Sequence, residues 1–187
     1  MEKELNKMAW KEAATGGLYL GLAYVALYYV GYFVRTPGIG AAVNAVTFFT
    51  IAGFLYAYAR KVGMRFSPAA FSFGRSWLFA LQMALFAGIM AGLGQFVLAN
   101  WLDPQGYREQ MDMVSAMMAE NGLMSEEQAE LAGEAGARLM RNPLVTAFSG
   151  IFSLLIYGGL IGLIVALFTK RPADPFAGEG GEGPRPV

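Results

Sequence analysis

Four long stretches of this chain contain no charged residue, and they limit its possible folds more than any other feature. We number them TM1 (13–34), TM2 (40–59), TM3 (76–100) and TM4 (143–169). A helix of about 20 residues, at 1.5 Å per residue, crosses the ~30 Å hydrocarbon core of a bilayer. The chain is 56% hydrophobic and only 15% charged, too apolar for an ordinary soluble domain. The sequence therefore predicts an all-α polytopic membrane protein with four transmembrane helices.

Residues typical of helix ends and membrane interfaces flank these stretches. Pro37 separates TM1 from TM2, because a proline disfavours helix at the residue before it. Trp77 and Trp101 lie at the two ends of TM3, as indoles do at the two membrane interfaces. Pro143 suits the first turn of TM4, where its missing N–H needs no partner. TM1 is longer than the apolar region of a signal peptide, so we expect it to be retained.

The two termini differ from the spans in composition. Residues 1–12 mix lysines and glutamates with Trp10, which predicts a short interfacial helix before TM1. Residues 172–187 are rich in Pro and Gly and poor in apolar residues, which predicts a disordered cytoplasmic tail. We expect one membrane domain, residues 1–171, followed by this tail.

Composition excludes several kinds of chemistry. The chain has no cysteine and no histidine, so it offers no thiolate, no imidazole ligand and no histidine general base. Its 14 basic and 14 acidic residues balance, and nothing in the charge indicates nucleic acid. The four spans lack Asp, Glu, Lys and Arg, which argues against a proton-coupled pump. We expect neither an enzyme nor a cofactor.

Basic residues are unevenly divided between the two sides of the predicted bundle. Both termini and the loop between TM2 and TM3 share one side, which carries ten basic residues: Lys3, Lys7, Lys11, Arg60, Lys61, Arg65, Arg75, Lys170, Arg171 and Arg185. The other side carries four: Arg35, Arg108, Arg138 and Arg141. By the positive-inside rule, both termini are expected in the cytoplasm and residues 101–143 outside.

Residues 101–143 form the longest polar segment between spans. Apolar residues recur there at helical spacing: Tyr107, Met111, Val114 and Met118. This stripe predicts an amphipathic helix over residues 104–119. Ser125, with Gln128 three residues later, is a capping-box signature for a second helix over 126–141. We therefore expect an external amphipathic helical hairpin, residues 104–141, between TM3 and TM4.

Two metal sites compete with a purely structural interpretation of this hairpin. Thioethers select Cu(I), and four methionines lie close together in the first helix: Met111, Met113, Met117 and Met118. Carboxylates select hard cations such as Ca²⁺, and three share one face of the second helix: Glu127, Glu130 and Glu134. Methionine also fills apolar helix faces, and glutamate is common on solvated ones. We prefer the structural interpretation in both cases.

Small and polar residues within the spans indicate how the helices pack. Glycines four residues apart let helix backbones approach closely, and three pairs occur: Gly17 and Gly21, Gly88 and Gly92, Gly158 and Gly162. We expect packing within the bundle, with oligomer contact as the alternative. Four amides also lie in the spans: Asn44, Gln82, Gln95 and Asn100. They are expected to hydrogen-bond between helices, and the alternative is a polar cavity.

Gly74 and Arg75 precede TM3 on the cytoplasmic side. Free N–H groups at a helix start, together with a guanidinium group, would hold a lipid phosphate. The alternative, which we favour, is that Arg75 extends to the interface and only sets the orientation of the helix.

The order of several short motifs resembles a known family. The motifs are Trp10-Lys11-Glu12-Ala13-Ala14, Phe71-Ser72-Phe73-Gly74-Arg75, Gly122-Leu123-Met124-Ser125-Glu126-Glu127-Gln128 and Lys170-Arg171. Over residues 1–171 the chain resembles the bacterial membrane-protein family labelled domain of unknown function 4199, found mostly in Bacteroidota. The resemblance implies a helical fold and an inner-membrane location, and it transfers no functional residue.

These features predict a non-enzymatic interaction or scaffold subunit whose external hairpin is a docking platform or lid. The expected partners are the lipid bilayer and either a second copy or another membrane protein. One alternative is a small oligomeric translocation or lipid-handling protein, built around Asn44, Gln82 and Gln95. The third hypothesis is external Cu(I) binding by the methionines.

Overall fold

The computed structural model describes residues 2–34, 38–66 and 71–170. Six α-helices follow one another in these ranges: α1 (Glu2–Phe33), α2 (Ile39–Arg65), α3 (Phe73–Val97), α4 (Pro104–Glu120), α5 (Glu126–Leu139) and α6 (Pro143–Thr169). A π-helical turn, Leu98–Leu102, joins α3 to α4. The predicted tail at 172–187 and the predicted turn residues Thr36 and Pro37 lie outside the described residues.

Four segments are long and apolar enough to cross a membrane: α1, α2, α6, and α3 together with the π-helical turn. Large apolar side chains on their outer faces are exposed, as contact with lipid requires; examples on α6 are Phe152, Leu160 and Phe168. The short helices α4 and α5 form a hairpin between the third and fourth long segments. These findings confirm the predicted fold class.

The long helices extend beyond the predicted spans. The predicted interfacial helix of residues 1–12 and TM1 form one continuous helix, α1, because no Gly or Pro interrupts residues 2–15. α2 continues to Arg65, past its predicted end at residue 59, and α3 begins at Phe73 rather than at residue 76. Ser72 caps α3 by accepting a hydrogen bond from the Arg75 N–H group.

α3 lies at the centre of the bundle, and its most extensive contact is with α6. The predicted glycines make this contact close. A Cβ atom built on Gly88 would lie 2.5 Å from the Cα atom of Ile151, and one on Gly92 would overlap the Thr146 carbonyl oxygen. Backbone therefore lies against backbone here, as small residues allow.

Other predicted glycines also lie at contacts within the bundle. A Cβ on Gly158 would lie 2.7 Å from the Ala84 Cβ, and one on Gly162 would lie 2.8 Å from the Ala80 Cβ. On the other side of α3, Gly17 of α1 lies against the carbonyl oxygen of Met83. A Cβ on Gly21 would lie 2.5 Å from the Cβ of Met90. α3 is thus held between α1 and α6.

α2 is the least buried of the long helices and packs mainly on α1. The two helices are joined by ion pairs: Glu12 accepts hydrogen bonds of 2.9 Å from Lys61 and from Arg65. They meet again at Gly31, where a Cβ would lie 3.2 Å from a methyl group of Val43. We call the end of the bundle that carries α4 and α5 the hairpin end; the ion pairs lie at the opposite end.

Candidate functional site at the hairpin end

Hydrogen bonds from α1 hold the point where α3 passes into α4. The Tyr32 hydroxyl donates to Oδ2 of Asp103 at 3.0 Å, and the other carboxylate oxygen accepts the Gly106 N–H at 2.9 Å. Asp103 is thereby the N-cap of α4, with Pro104 at the first helical position. Tyr32 also packs with Tyr107 of α4, and burial raises the pKa of the Tyr107 hydroxyl.

Asn100 joins the π-helical turn to the end of α5. Its side-chain amide donates to the Phe96 carbonyl oxygen at 2.9 Å and to the Met140 carbonyl oxygen at 3.1 Å. Of the four predicted amides, Asn100 is the one that bonds another element within the described residues. Gln82 and Gln95 are half-buried in α3, and Asn44 is exposed on α2.

The α4–α5 hairpin is built by small residues and by a complete capping box. Ser125 accepts the Gln128 N–H at 3.2 Å, and the Gln128 side chain accepts the Ser125 N–H at 3.0 Å. Gly133 of α5 lies so close to α4 that a Cβ there would meet the Asp112 carboxylate at 2.9 Å. Gly122 turns the chain with φ = 71°, a conformation that favours glycine.

The hairpin makes little contact with the four long helices. α5 packs on α4, and α4 contacts the π-helical turn at its base; the described residues form no other extended interface with either helix. The predicted apolar stripe on α4 is therefore buried in one part and exposed in the other. Tyr107 is buried and Met111 is half-buried, whereas Val114 and Met118 are exposed.

The exposed apolar surface of the hairpin is made of side chains on α4, on α5 and in the turn between them. Its residues are Val114, Met117, Met118, Leu123, Leu131 and Leu139, which are between 40% and 74% exposed. We call it the apolar surface of the hairpin. Val114 lies three residues before Met117 and four before Met118, so around α4 it lies between these two exposed methionines.

A separate acidic cleft of about 580 Å³ lies between α4 and α5. Four carboxylates line it: Asp112, Glu120, Glu130 and Glu134. Within the described residues, no group of three or more carboxylates is arranged to hold a metal ion. The three glutamates considered for a cation, at 127, 130 and 134, are all exposed on α5.

Helical geometry places the four candidate copper ligands on two different sides of α4. Met113 and Met117, four residues apart, share one side of α4, and Met113 lines a cavity beside Tyr32. Met111 and Met118, seven residues apart, share another side, and Met111 packs against Tyr107. The four thioethers therefore point to two sides of the helix.

A cavity of about 210 Å³ lies between α1 and α2, beneath α4. Its polar lining consists of Tyr24, Tyr28, Tyr32, Asn44, Thr47 and Gln110. Asn44 is among the polar residues predicted from the sequence, and the tyrosines are not. Their spacing of four residues along α1 is the signal that indicates a shared face.

At the opposite end, Gly74 and Arg75 lie in the first turn of α3. A Cβ on Gly74 would meet no atom within 4 Å, and the Arg75 guanidinium group lies 5.8 Å from the centre of the Phe66 ring. The arrangement includes a cation–π contact for Arg75. A lipid phosphate at this helix start stays a prediction.

The fold and this hairpin define a four-span helical membrane protein. Residues 15–171 match the family model described as protein of unknown function (DUF4199), and the chain belongs to that family. Comparison with curated proteins found no significant match, and neither did comparison with solved structures.

Proposed function

We propose that this protein is a non-enzymatic interaction subunit of a membrane complex. Its α4–α5 hairpin would dock a basic, amphipathic segment of a partner protein. The observation that carries the proposal is the apolar surface of the hairpin, which the bundle leaves uncovered. Large exposed apolar patches on a folded protein mark contact with a protein or a membrane.

Methionine makes this surface suitable for a helix or an extended segment of varied sequence. Met117 and Met118 are flexible and polarizable, so their side chains adapt to the shape of a partner. Leu131 and Leu139 add exposed apolar side chains on α5. The rigid small-residue contact between α4 and α5 holds these side chains in place without the support of the bundle.

The charge of the hairpin favours a basic partner. Residues 109–137 contain seven acidic residues and no basic residue. Four of these seven acidic residues line the acidic cleft between α4 and α5. A segment with apolar residues on one side and Lys or Arg on the other would contact both surfaces, and opposite charge would speed its association.

The same charge argues against two other occupants. An amphipathic helix that binds an anionic membrane surface carries Lys and Arg on its polar face, whereas this polar face carries Asp and Glu. The hairpin carries seven acidic residues and three arginines, so two copies would meet with like net charge, and the hairpin of a second copy is also disfavoured. A basic protein segment satisfies both features of the hairpin.

A designed peptide tests the proposal directly. The protein is placed in phosphatidylcholine nanodiscs, and a labelled 18-residue Leu/Lys amphipathic peptide is added; anisotropy measures binding. We expect specific binding that weakens as salt rises, because exposed charges are screened. Met117→Ser and Leu131→Ser should each weaken binding about tenfold, equivalent to about 1.4 kcal/mol of lost apolar contact.

Three controls set the interpretation of this measurement. Phe168→Ser removes a still more exposed apolar side chain at the opposite end of the bundle and should leave binding unchanged. A Leu/Glu peptide with the same pattern should bind weakly or not at all. Binding no stronger than to empty nanodiscs, or equal binding by the Met117→Ser variant, would refute the proposal.

Cross-linking in cells tests the natural interaction. A photoreactive residue at position 117 is expected to capture a partner segment that mass spectrometry shows to be basic and amphipathic. The same residue at position 168 should not capture that segment. Capture of an acidic segment, or of the protein's own chain, would contradict the assigned occupant.

A further inference from the structure

The geometry of the cavity between α1 and α2 points to a binding site for a small, uncharged, hydroxyl-rich group such as a sugar or glycerol. This inference is independent of docking at the hairpin. The cavity extends from the hairpin end of the bundle to Tyr24, nine residues before the end of α1 at Phe33. At 1.5 Å per residue, that is a depth of about 14 Å.

Several polar groups that line this cavity have no hydrogen-bond partner among the described residues. Within residues 2–34, 38–66 and 71–170, no group hydrogen-bonds the hydroxyls of Tyr24 and Tyr28 or the side-chain amide of Asn44. Among the same residues, no side-chain nitrogen or oxygen is fully enclosed without a partner, so these groups open onto the cavity. Polar groups between membrane helices lose free energy unless something hydrogen-bonds them.

The lining selects the charge of the ligand. The described residues that line the cavity offer hydroxyls and amides, and none of them is Asp, Glu, Lys or Arg. A phosphate or carboxylate would find no cation among these described lining residues, so its entry there would carry a high desolvation cost. Hydroxyl and amide groups both donate and accept hydrogen bonds, which matches a ligand that carries several hydroxyls.

The size of the cavity selects a small ligand. Its volume of about 210 Å³ far exceeds the roughly 10–15 Å³ that a single water requires. It is smaller than the ~300–1,000 Å³ of pockets for drug-sized molecules. One sugar ring or one glycerol group has a volume of the right order for this cavity.

Two sources would supply such a group: the headgroup of a glycolipid or a free polyol. Gly40 and Asn44 on the wall formed by α2 are exposed, so the cavity is open at the side of the bundle. A lipid headgroup would enter there while its acyl chains stay in the bilayer. A free polyol would enter from the water at the hairpin end.

Native mass spectrometry separates the two sources. The protein is placed in nanodiscs of phosphatidylcholine with a minor fraction of glucosyl diacylglycerol, and no sugar-headed detergent is used. We expect the released protein to retain glucosyl diacylglycerol above its share of the bilayer. In a parallel arm, methyl glucoside is added to protein in pure phosphatidylcholine nanodiscs, and a raised Tm would identify a free polyol as the ligand.

Conservative variants connect binding to the cavity. Tyr28→Phe removes one hydroxyl and keeps the ring, and Asn44→Leu removes the amide on an exposed helix face. Each should weaken retention about 2- to 10-fold, the value of one neutral hydrogen bond. Tyr19→Phe removes the hydroxyl of an exposed tyrosine on the same helix, outside the cavity, and should change nothing.

Three results would overturn the inference. The first is that neither the glycolipid nor the glucoside binds. The second is binding that Tyr28→Phe and Asn44→Leu leave unchanged. The third is preferential retention of phosphatidylcholine, which would show that the tyrosine rings bind a quaternary ammonium group.

Discussion

Tyr32 donates a hydrogen bond of 3.0 Å from its hydroxyl to the carboxylate of Asp103, 71 residues later in the chain. The same carboxylate caps α4 through the Gly106 N–H. One turn earlier on α1, the Tyr29 hydroxyl donates to the Gly94 carbonyl oxygen at 2.8 Å. The last turns of α1 therefore contact the chain on both sides of the π-helical turn. They fix the base from which the hairpin extends.

Loss of the Asp103 carboxylate should loosen the first turn of α4. Asp103→Ala removes an N-cap, which stabilises a helix by about 1 kcal/mol, together with the acceptor for Tyr32. Hydrogen exchange over residues 104–110 should become faster, while exchange in α6 stays the same. Tyr32→Phe should act in the same direction and less strongly, and Tyr19→Phe should have no effect. Unchanged exchange in the Asp103→Ala variant would show that the cap does not hold α4.

A methyl group at the α3–α6 contact should destabilise the bundle. Gly92→Ala places a Cβ against the Thr146 carbonyl oxygen, so the two backbones must separate. We expect the free energy of unfolding, from a denaturing-detergent titration, to fall by about 1–3 kcal/mol.

Gly53→Ala on α2 is the matched control for this substitution. A Cβ on Gly53 would meet no atom within 4 Å. Alanine also has less conformational freedom than glycine in the unfolded chain, so less entropy is lost on folding. The free energy of unfolding should rise by about 0.4–1 kcal/mol. Equal destabilisation by both substitutions would mean that close packing of α3 and α6 does not set stability.

The features that sequence predicts best are those set by neighbouring residues. A capping box joins Ser125 to Gln128 across one turn, so the start of α5 is visible without knowledge of the fold. The four long helices are visible in the same way, because each contains a continuous run of uncharged residues. The sequence gives no comparable signal for the π-helical turn after Val97.

The cavity depends on contacts that are distant in sequence, which explains why its tyrosines were missed. Tyr24 and Tyr28 become neighbours of Asn44 only because α1 and α2 meet near Gly31 and again near Glu12. Tyrosines near the end of a span equally indicate an aromatic belt at the membrane interface.

Disruption of the capping box should unfold the tip of the hairpin and leave the bundle intact. Ser125→Ala removes the acceptor for the Gln128 N–H and should destabilise α5 by about 1 kcal/mol. Limited proteolysis should cut faster between residues 121 and 129. Ser125→Asp, which restores a capping oxygen, should return cleavage to the parent rate; faster cleavage with Asp than with Ala would contradict the capping role.

The ion pairs of Glu12 should contribute modestly to the contact between α1 and α2. Lys61 and Arg65 are about half exposed, and exposed pairs are worth roughly 0.2–1 kcal/mol each. Glu12→Gln should lower the free energy of unfolding by no more than their sum, and high salt should reduce the difference. A double-mutant cycle with Lys61→Met measures the coupling, and zero coupling would show that the pair does not stabilise the fold.

Orientation in the membrane is testable without background, because the chain contains no cysteine. Glu130 lies exposed on α5, and Arg60 lies exposed near the opposite end of α2. With ten basic residues on the side of Arg60 and four on the side of the hairpin, we expect the hairpin outside. In intact cells, an impermeant thiol reagent should label Glu130→Cys, and Arg60→Cys should react only after the membrane is opened. The reverse pattern would place the hairpin in the cytoplasm, and its basic partner segment would then have to be sought there.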